Sequence, residues 1–176
     1  LSDHTNHRAD EYGGSQKNKL RIIKNIFDKL KNKIDFKKIG ARISGNDFLP
    51  NGLNIEKNKP LVNLLDSYGI SYYFVTAGIY ETAAHKYTTM KVGDYWNYAF
   101  QLKSLTKTPV IAQGNITSVA IGEKILQQQK GDLFGMCQAL IADPELITKT
   151  INSKEENVFK CLAHIKVGSC HRCRYL

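Results

Sequence analysis

The stretch Pro109-Val-Ile-Ala-Gln-Gly-Asn-Ile-Thr117 constrains this chain more than any other. Val110, Ile111 and Ala112 form a short apolar run after a proline, which reads as a buried parallel strand. It stops at Gly114-Asn115, and Thr117 or Ser118 then caps a helical pattern carried by Val119, Ile121, Ile125 and Leu126. Strand, glycine turn and helix start together present free backbone N–H groups and the positive end of a helix dipole, a geometry that holds a phosphate. The pattern recurs. Asp132-Leu-Phe-Gly-Met-Cys-Gln-Ala-Leu-Ile-Ala-Asp-Pro144 reads as another short apolar strand running into small residues and a turn. Two such strand-end turns, late in an α/β chain, point to the phosphate site of a (β/α)8 barrel, built by the loops after strands seven and eight. Two ordinary βα turns would use the same residues.

With 176 residues, 42% hydrophobic and 23% charged, the chain suits one globular domain with a real core. It is short of the roughly 250 residues of a full barrel. The first residue is Leu1 and the segment to Ala9 reads like the middle of something, so a fragment or processed piece is expected. No run approaches the ~18 apolar residues of a membrane helix, and Leu1–Ala9 is too polar for a signal peptide, so the default location is the cytoplasm.

The net charge of +9 would suit nucleic acid or an anionic ligand. Much of the lysine, however, lies in Gln16–Lys38, mixed with asparagine and isoleucine at helical spacing, where lysines on an outer helix face are solvated. That weighs against a nucleic-acid partner. Four cysteines (Cys137, Cys161, Cys170, Cys173) sit late in the chain. A secreted disulfide framework would spread them more widely, so metal binding or reduced thiols are expected instead.

Residues 1–15 are polar and irregular, ending in Gly13-Gly14, with Arg8, Asp10 and Glu11 placed for a local ion-pair knot. Ser15 caps a helix with apolar positions Leu20, Ile23, Ile26, Phe27, Leu30 and Ile34. The segment Asn6-His-Arg-Ala-Asp-Glu-Tyr-Gly-Gly-Ser15, with Asn18 and Arg21 after it, resembles the segment after the fourth barrel strand in the old yellow enzyme family. Those enzymes are FMN-dependent NAD(P)H:flavin oxidoreductases. The likeness is closer to the branch with 2,4-dienoyl-CoA reductase and trimethylamine dehydrogenase, and it runs to about Cys161. It implies an α/β fold, the C-terminal half of a (β/α)8 TIM barrel (about strands 5–8). Residues 1–15 would be the loop after strand four, 16–157 four βα units, and 158–176 a Cys/His-containing tail.

Phe36–Ser44 reads as the next strand, with Arg42 near its C-terminal end. A surface ion pair is the residue-level reading of Arg42. The resemblance implies that it lies against the flavin pyrimidine edge, where its charge stabilises the anionic reduced ring. A loop over Phe48–Asn54 leads to a helix with Leu61, Leu64 and Leu65 inward and Gly69 as its stop. Ile70–Thr76 reads as strand six, and Ile79–Met90 follows with Tyr80, Glu81, His85 and Tyr87 in a loop position that faces substrate in barrels. Asp94–Leu105 reads as helix six.

The resemblance assigns the FMN phosphate to the backbone of Gly114 and to Asn115. Where the family has a glycine or alanine and then an arginine in its last strand, this chain has Cys137 and Gln138. Glutamine donates hydrogen bonds to phosphate but brings neither charge nor a bidentate fork, a loss of roughly 1.5–3 kcal/mol, or about ten- to a hundredfold in affinity.

Relatives in this branch often carry a [4Fe–4S] cluster after the barrel. Here Cys161 fits the first ligand, but His164 stands at the second position and the third is missing. Cys170-x2-Cys173, with His171 between them, could hold zinc together with Cys161 or His164. Unligated thiols, zinc, and a cluster completed beyond Leu176 stay open, and the basic run His171–Arg174 leaves room for an anion contact.

The resemblance implies a parent that passes hydride from NAD(P)H through flavin to an electron-poor alkene, an enone or enoyl thioester. Its proton donor would come from earlier strands, so no catalytic acid is expected in this chain. Two rivals follow from the residues. One is a catalytically inactive half-barrel that pairs with a second copy or with a missing N-terminal half, because its sheet edges are unpaired. The other is a basic, metal-binding nucleic-acid module built on the tail.

Overall fold

Burial alternates along the strands, and this alternation sets the architecture. A computed structural model describes residues 1–82 and 93–161. Strands β1 (Gly40–Ser44), β2 (Tyr72–Thr76), β3 (Val110–Gln113) and β4 (Leu133–Gly135) form one parallel sheet in sequence order, β1-β2-β3-β4. Ile43, Tyr73, Val75, Val110 and Ala112 are buried on one face. They pack against the apolar stripes of the helices that connect the strands, giving a single core. The other face carries one row across all four strands, since register aligns Arg42 with Phe74, Phe74 with Ile111 and Ile111 with Leu133. Four parallel strands in order, with helices between them, are part of a (β/α)8 barrel. The row is the side that a closed barrel would turn inward.

The helices follow local chemistry. Helix α1 (Gln16–Leu30) starts at Ser15, whose hydroxyl accepts from the Asn18 N–H. Its Leu20, Ile23 and Phe27 pack on the core, whereas Ile22 and Ile26 stay exposed. Helix α2 (Ile55–Tyr68) is capped by Asn54 and stopped by Gly69 at φ 73°. Leu61 and Leu65 are buried, while Leu64 is only half-buried. Helix α3 (Asp94–Lys103) precedes β3, and α4 (Val119–Gln127) follows it. After β4 come the short helices α5 (Gln138–Ala142) and α6 (Leu146–Ile151).

Three sequence expectations are corrected. The strand expected at Phe36–Ser44 begins only at Gly40, because Asp35 caps a 3-10 turn over Phe36–Lys38. Strand six starts at Tyr72 rather than Ile70. Cys137 and Gln138 are not in the last strand: β4 ends at Gly135, and Cys137 is the cap and Gln138 the first residue of α5. The apolar run Ala139–Ala142 is helical. The knot at residues 8–11 is also shared differently. Arg8 pairs with Asp10, while Glu11 faces Arg21 at 3.8 Å and accepts the Arg21 Nε–H on its carbonyl at 2.9 Å.

Polar clamps hold the ends of the strands. Buried Asp47 accepts from the Ser44 hydroxyl (2.6 Å) and the Leu53 N–H (2.7 Å), closing the β1–α2 loop. The Thr82 hydroxyl donates to the Asp47 carbonyl at 3.0 Å, tying the loop after β2 to it. At the opposite end, Asp66 accepts from the Tyr73 and Thr108 hydroxyls at 2.9 and 3.0 Å. Burial and the adjacent Asp66 carboxylate push the Tyr73 phenol far above its ordinary range. Beyond α5, buried Asp143 accepts from Lys149 (2.8 Å) and from the N–H groups of Glu145 (3.0 Å) and Phe159 (2.9 Å), pinning the final described turn. No described helix is long and apolar enough to cross a membrane.

Candidate functional site

At the C-terminal ends of the strands lies a cavity of about 310 Å3, at the lower end of the roughly 300–1,000 Å3 of ligand pockets. Each strand supplies part of its wall: Arg42 from β1, Phe74 from β2, Gln113 and the Gly114–Ile116 turn from β3, and Gly135–Gln138 from β4 and its cap. Tyr95 of α3 forms its floor beneath the turn. The five candidates Arg42, Gly114, Asn115, Cys137 and Gln138, chosen across 97 positions of sequence, therefore share one cavity.

The β3–α4 turn is built by two consecutive left-handed residues, Gly114 at φ 101° and Asn115 at φ 56°. Gly114 has no room for a side chain, because an added Cβ would stand 2.6 Å from Tyr95 Cγ. Its carbonyl accepts the Trp96 indole N–H at 2.8 Å, so the first turn of α3 fixes the loop from below. Asn115 is 95% buried at 5% exposure, lines the cavity, and among the described residues its side chain has no hydrogen-bond partner. A buried amide in this state is poised to bond a ligand or solvent. Of the two capping candidates it is Ser118 that caps α4, accepting from the Ile121 N–H. The positive end of this nine-residue helix thus opens beside Gly114 and Asn115.

Arg42 is exposed at the cavity wall, and its guanidinium stands over the Phe74 ring at 5.9 Å. Among the described residues no carboxylate lies within 4.0 Å of it, so the surface ion pair is not formed. The donor set therefore comprises one cation on an aromatic shelf, three side-chain amides (Gln113, Asn115, Gln138), and backbone N–H groups at a helix start. Such a set can hold an extended, polar, anionic or electron-rich ligand. It fits a flavin nucleotide at the ring side and at the backbone turn. The β3–β4 end differs, since it offers amides without a cation. Sequence reasoning missed Gln113 and Phe74, although the period-two alternation of β2 and β3 places both on the Arg42 face.

Cys137 is exposed and Cys161 is half-buried. Cys170 and Cys173 lie outside the described residues, as do His85, Tyr87, His164, His171 and Arg174. Among the described residues no group of three or more His, Cys, Asp and Glu side chains could hold a metal. Tyr80 is 97% exposed, and neighbouring Glu81 meets His4 at 3.0 Å, linking residues 1–15 to the loop after β2.

The chain is 29% identical over 167 residues to the NADH oxidase of Thermoanaerobacter brockii, which covers 93% of this chain and 26% of that enzyme. It is 30% identical over 165 residues to a metal reductase of Desulforamulus reducens, covering 92% and 25%. The chain thus spans about a quarter of the length of these relatives. Among solved structures, a 2-naphthoyl-CoA reductase bound to 2-naphthoyl-CoA superimposes with a TM-score of 0.81 at 24% identity, over 93% of this chain and 25% of that one. Morphinone reductase does so with a TM-score of 0.64 at 21% identity, over 88% and 39%. These two likenesses show the fold, a partial TIM barrel. The family model described as NADH:flavin oxidoreductase / NADH oxidase matches residues 1–157, and the chain belongs to that family of flavin-using oxidoreductases.

Proposed function

We propose that this chain is the C-terminal half of an FMN barrel and supplies one side of the flavin cradle of an NAD(P)H-dependent reductase of electron-poor alkenes. The observation that carries this reading is the convergence of Arg42, Gly114, Asn115, Cys137 and Gln138 on one cavity at the strand ends. The chemistry that FMN supplies when bound is hydride acceptance from NAD(P)H and delivery to an enone or enoyl thioester.

The residues of this chain position and polarise. Arg42, unpaired by acid among the described residues and backed by Phe74, sets a positive charge at the edge of the ring where negative charge accumulates on reduction. Gly114 and Asn115 offer the turn for the phosphate, with the α4 dipole behind it. Cys137 and Gln138 close the wall at β4. No residue here is assigned proton transfer. The test is a visible spectrum of the chain purified with FMN and freed of unbound flavin. A retained, shifted flavin band that Arg42→Ala removes is expected, and a colourless chain beside a yellow longer protein would refute cradle formation by this half.

A second reading is favoured by the apolar residues left uncovered. Tyr72 and Leu133 on the inner face are 40% and 52% exposed, with Ile22 and Ile26 at one end and Ile141 and Ile151 at the other. In this reading the chain is a structural piece, and β4 of one copy lies parallel to β1 of another to close eight strands. Sedimentation would then give a colourless dimer; a monodisperse monomer would refute it.

A further inference from the structure

Charge is distributed unevenly around the cavity. Among the described residues that line it, Arg42 is the only charged one. Arg42 belongs to β1, two strand spacings (about 10 Å) from β3 and three (about 14 Å) from β4. Its guanidinium is held over Phe74 of β2. From there the charge is about one strand spacing (~5 Å) from β3 and two (~10 Å) from β4, so it lies beyond the Debye length of about 8 Å only at the β4 end of the open cavity. That end is lined by Gly135–Gln138, beside the Gly114–Ile116 turn with its Asn115 amide. Neutral amides donate to a hydroxyl as they do to a phosphate oxygen, and an exposed helix start favours the anion by only about 0.3–1 kcal/mol. A phosphate monoester carries a charge of about −1.5 to −2 at neutral pH and must give up hydration to enter. Among the described residues the one cation in the cavity is Arg42, across from that end.

We propose that this pocket does not select for the phosphate of its ligand, and that riboflavin, the same flavin ending in a free hydroxyl, binds within about threefold of FMN. The proposal rests on the flavin reading above. Asn115, buried and without a protein partner among the described residues, recognises a hydroxyl or a phosphate oxygen through the same amide N–H. Gln138 is the position that would confer selectivity, because a cation there would stand beside the turn.

The experiment is a fluorescence-quenching titration of the full chain with riboflavin and, separately, with FMN, at about 50 and about 200 mM salt. Similar affinities are expected, with little salt dependence for either flavin. Gln138→Arg should raise FMN affinity ten- to a hundredfold more than riboflavin affinity and make only FMN binding salt-sensitive. FMN binding more than about threefold tighter than riboflavin in the unmodified chain would overturn the proposal and leave the flavin reading intact. Binding of neither flavin would overturn both.

Discussion

Substituting alanine at Gly114 and, in parallel, at Gly69 separates two costs that usually come together. Both glycines have positive φ, 101° and 73°. An L-residue held there is destabilised by roughly 1–2 kcal/mol relative to glycine, partly offset by about 0.4–1 kcal/mol from a less flexible unfolded chain. At Gly69 nothing lies within 4 Å of an added Cβ, so the net loss should be about 1 kcal/mol. At Gly114 the added atom meets Tyr95 at 2.6, 2.8 and 2.9 Å, well inside the ~3.5–4 Å of ordinary carbon contact. Tyr95 is 4% exposed at the base of α3 and cannot swing away, so an overpacking cost of about 1–3 kcal/mol is added. Gly114→Ala should therefore lose about 2–4 kcal/mol in urea unfolding followed by circular dichroism, a large share of the ~5–15 kcal/mol of an ordinary domain. It should also lose the flavin band, since the Gly114 carbonyl and Asn115 move with the turn, whereas Gly69→Ala keeps it. Equal losses in the two variants, within about 0.5 kcal/mol, would refute the claim that Tyr95 fixes the turn by contact.

Other perturbations test the remaining supports. Tyr73→Phe removes a hydroxyl that donates to Asp66 and to the Val62 carbonyl, and should cost about 1–2 kcal/mol by the same urea assay. Ser118→Ala strips the α4 cap and should cost about 1 kcal/mol, with flavin affinity reduced in step if the helix start faces the ligand. Lys149 and the Phe159 N–H hold the Asp143 carboxyl below its ordinary range of about 4, so this support is present above about pH 4 and is lost as pH falls through the lower folded value. The midpoint of thermal unfolding should thus fall more between pH 5 and pH 3 in the unmodified chain than in Asp143→Asn; parallel pH profiles would refute the assignment.

Local signals were legible in the sequence wherever the physics is local. Ser15 announces a helix start, Thr117 or Ser118 another (the structure uses Ser118), Gly69 a stop and Gly114-Asn115 a turn, because each depends on its own φ, ψ and side-chain oxygen. The five site candidates were named through a resemblance anchored at Asn6–Ser15, and they line one cavity. What sequence could not show depends on partners brought from a distance. The Phe74 shelf under Arg42 exists only through the β1–β2 register. Ala139-Leu-Ile-Ala142 is too short for a helical period to rise above a strand-like apolar run, so Cys137 and Gln138 were assigned to a strand that ends two residues earlier. The 3-10 turn at Phe36–Lys38 was hidden for a similar reason: Phe36 is drawn out of the strand into an aromatic cluster with Phe27 and Tyr68.

The hydrogen bond from the Trp96 indole to the Gly114 carbonyl also makes the molecule its own indicator. Trp96 is the chain's single tryptophan and is 6% exposed. All indole emission therefore originates one hydrogen bond from the candidate ligand turn, with no competing fluorophore of its kind elsewhere. Flavins absorb in the near-ultraviolet, where a buried indole emits, so a bound flavin should drain this emission by resonance energy transfer. Loosening of the turn without ligand would instead shift the emission to longer wavelength as water reaches the ring. One emission spectrum thus distinguishes an occupied turn from a distorted one, without a label and without turnover.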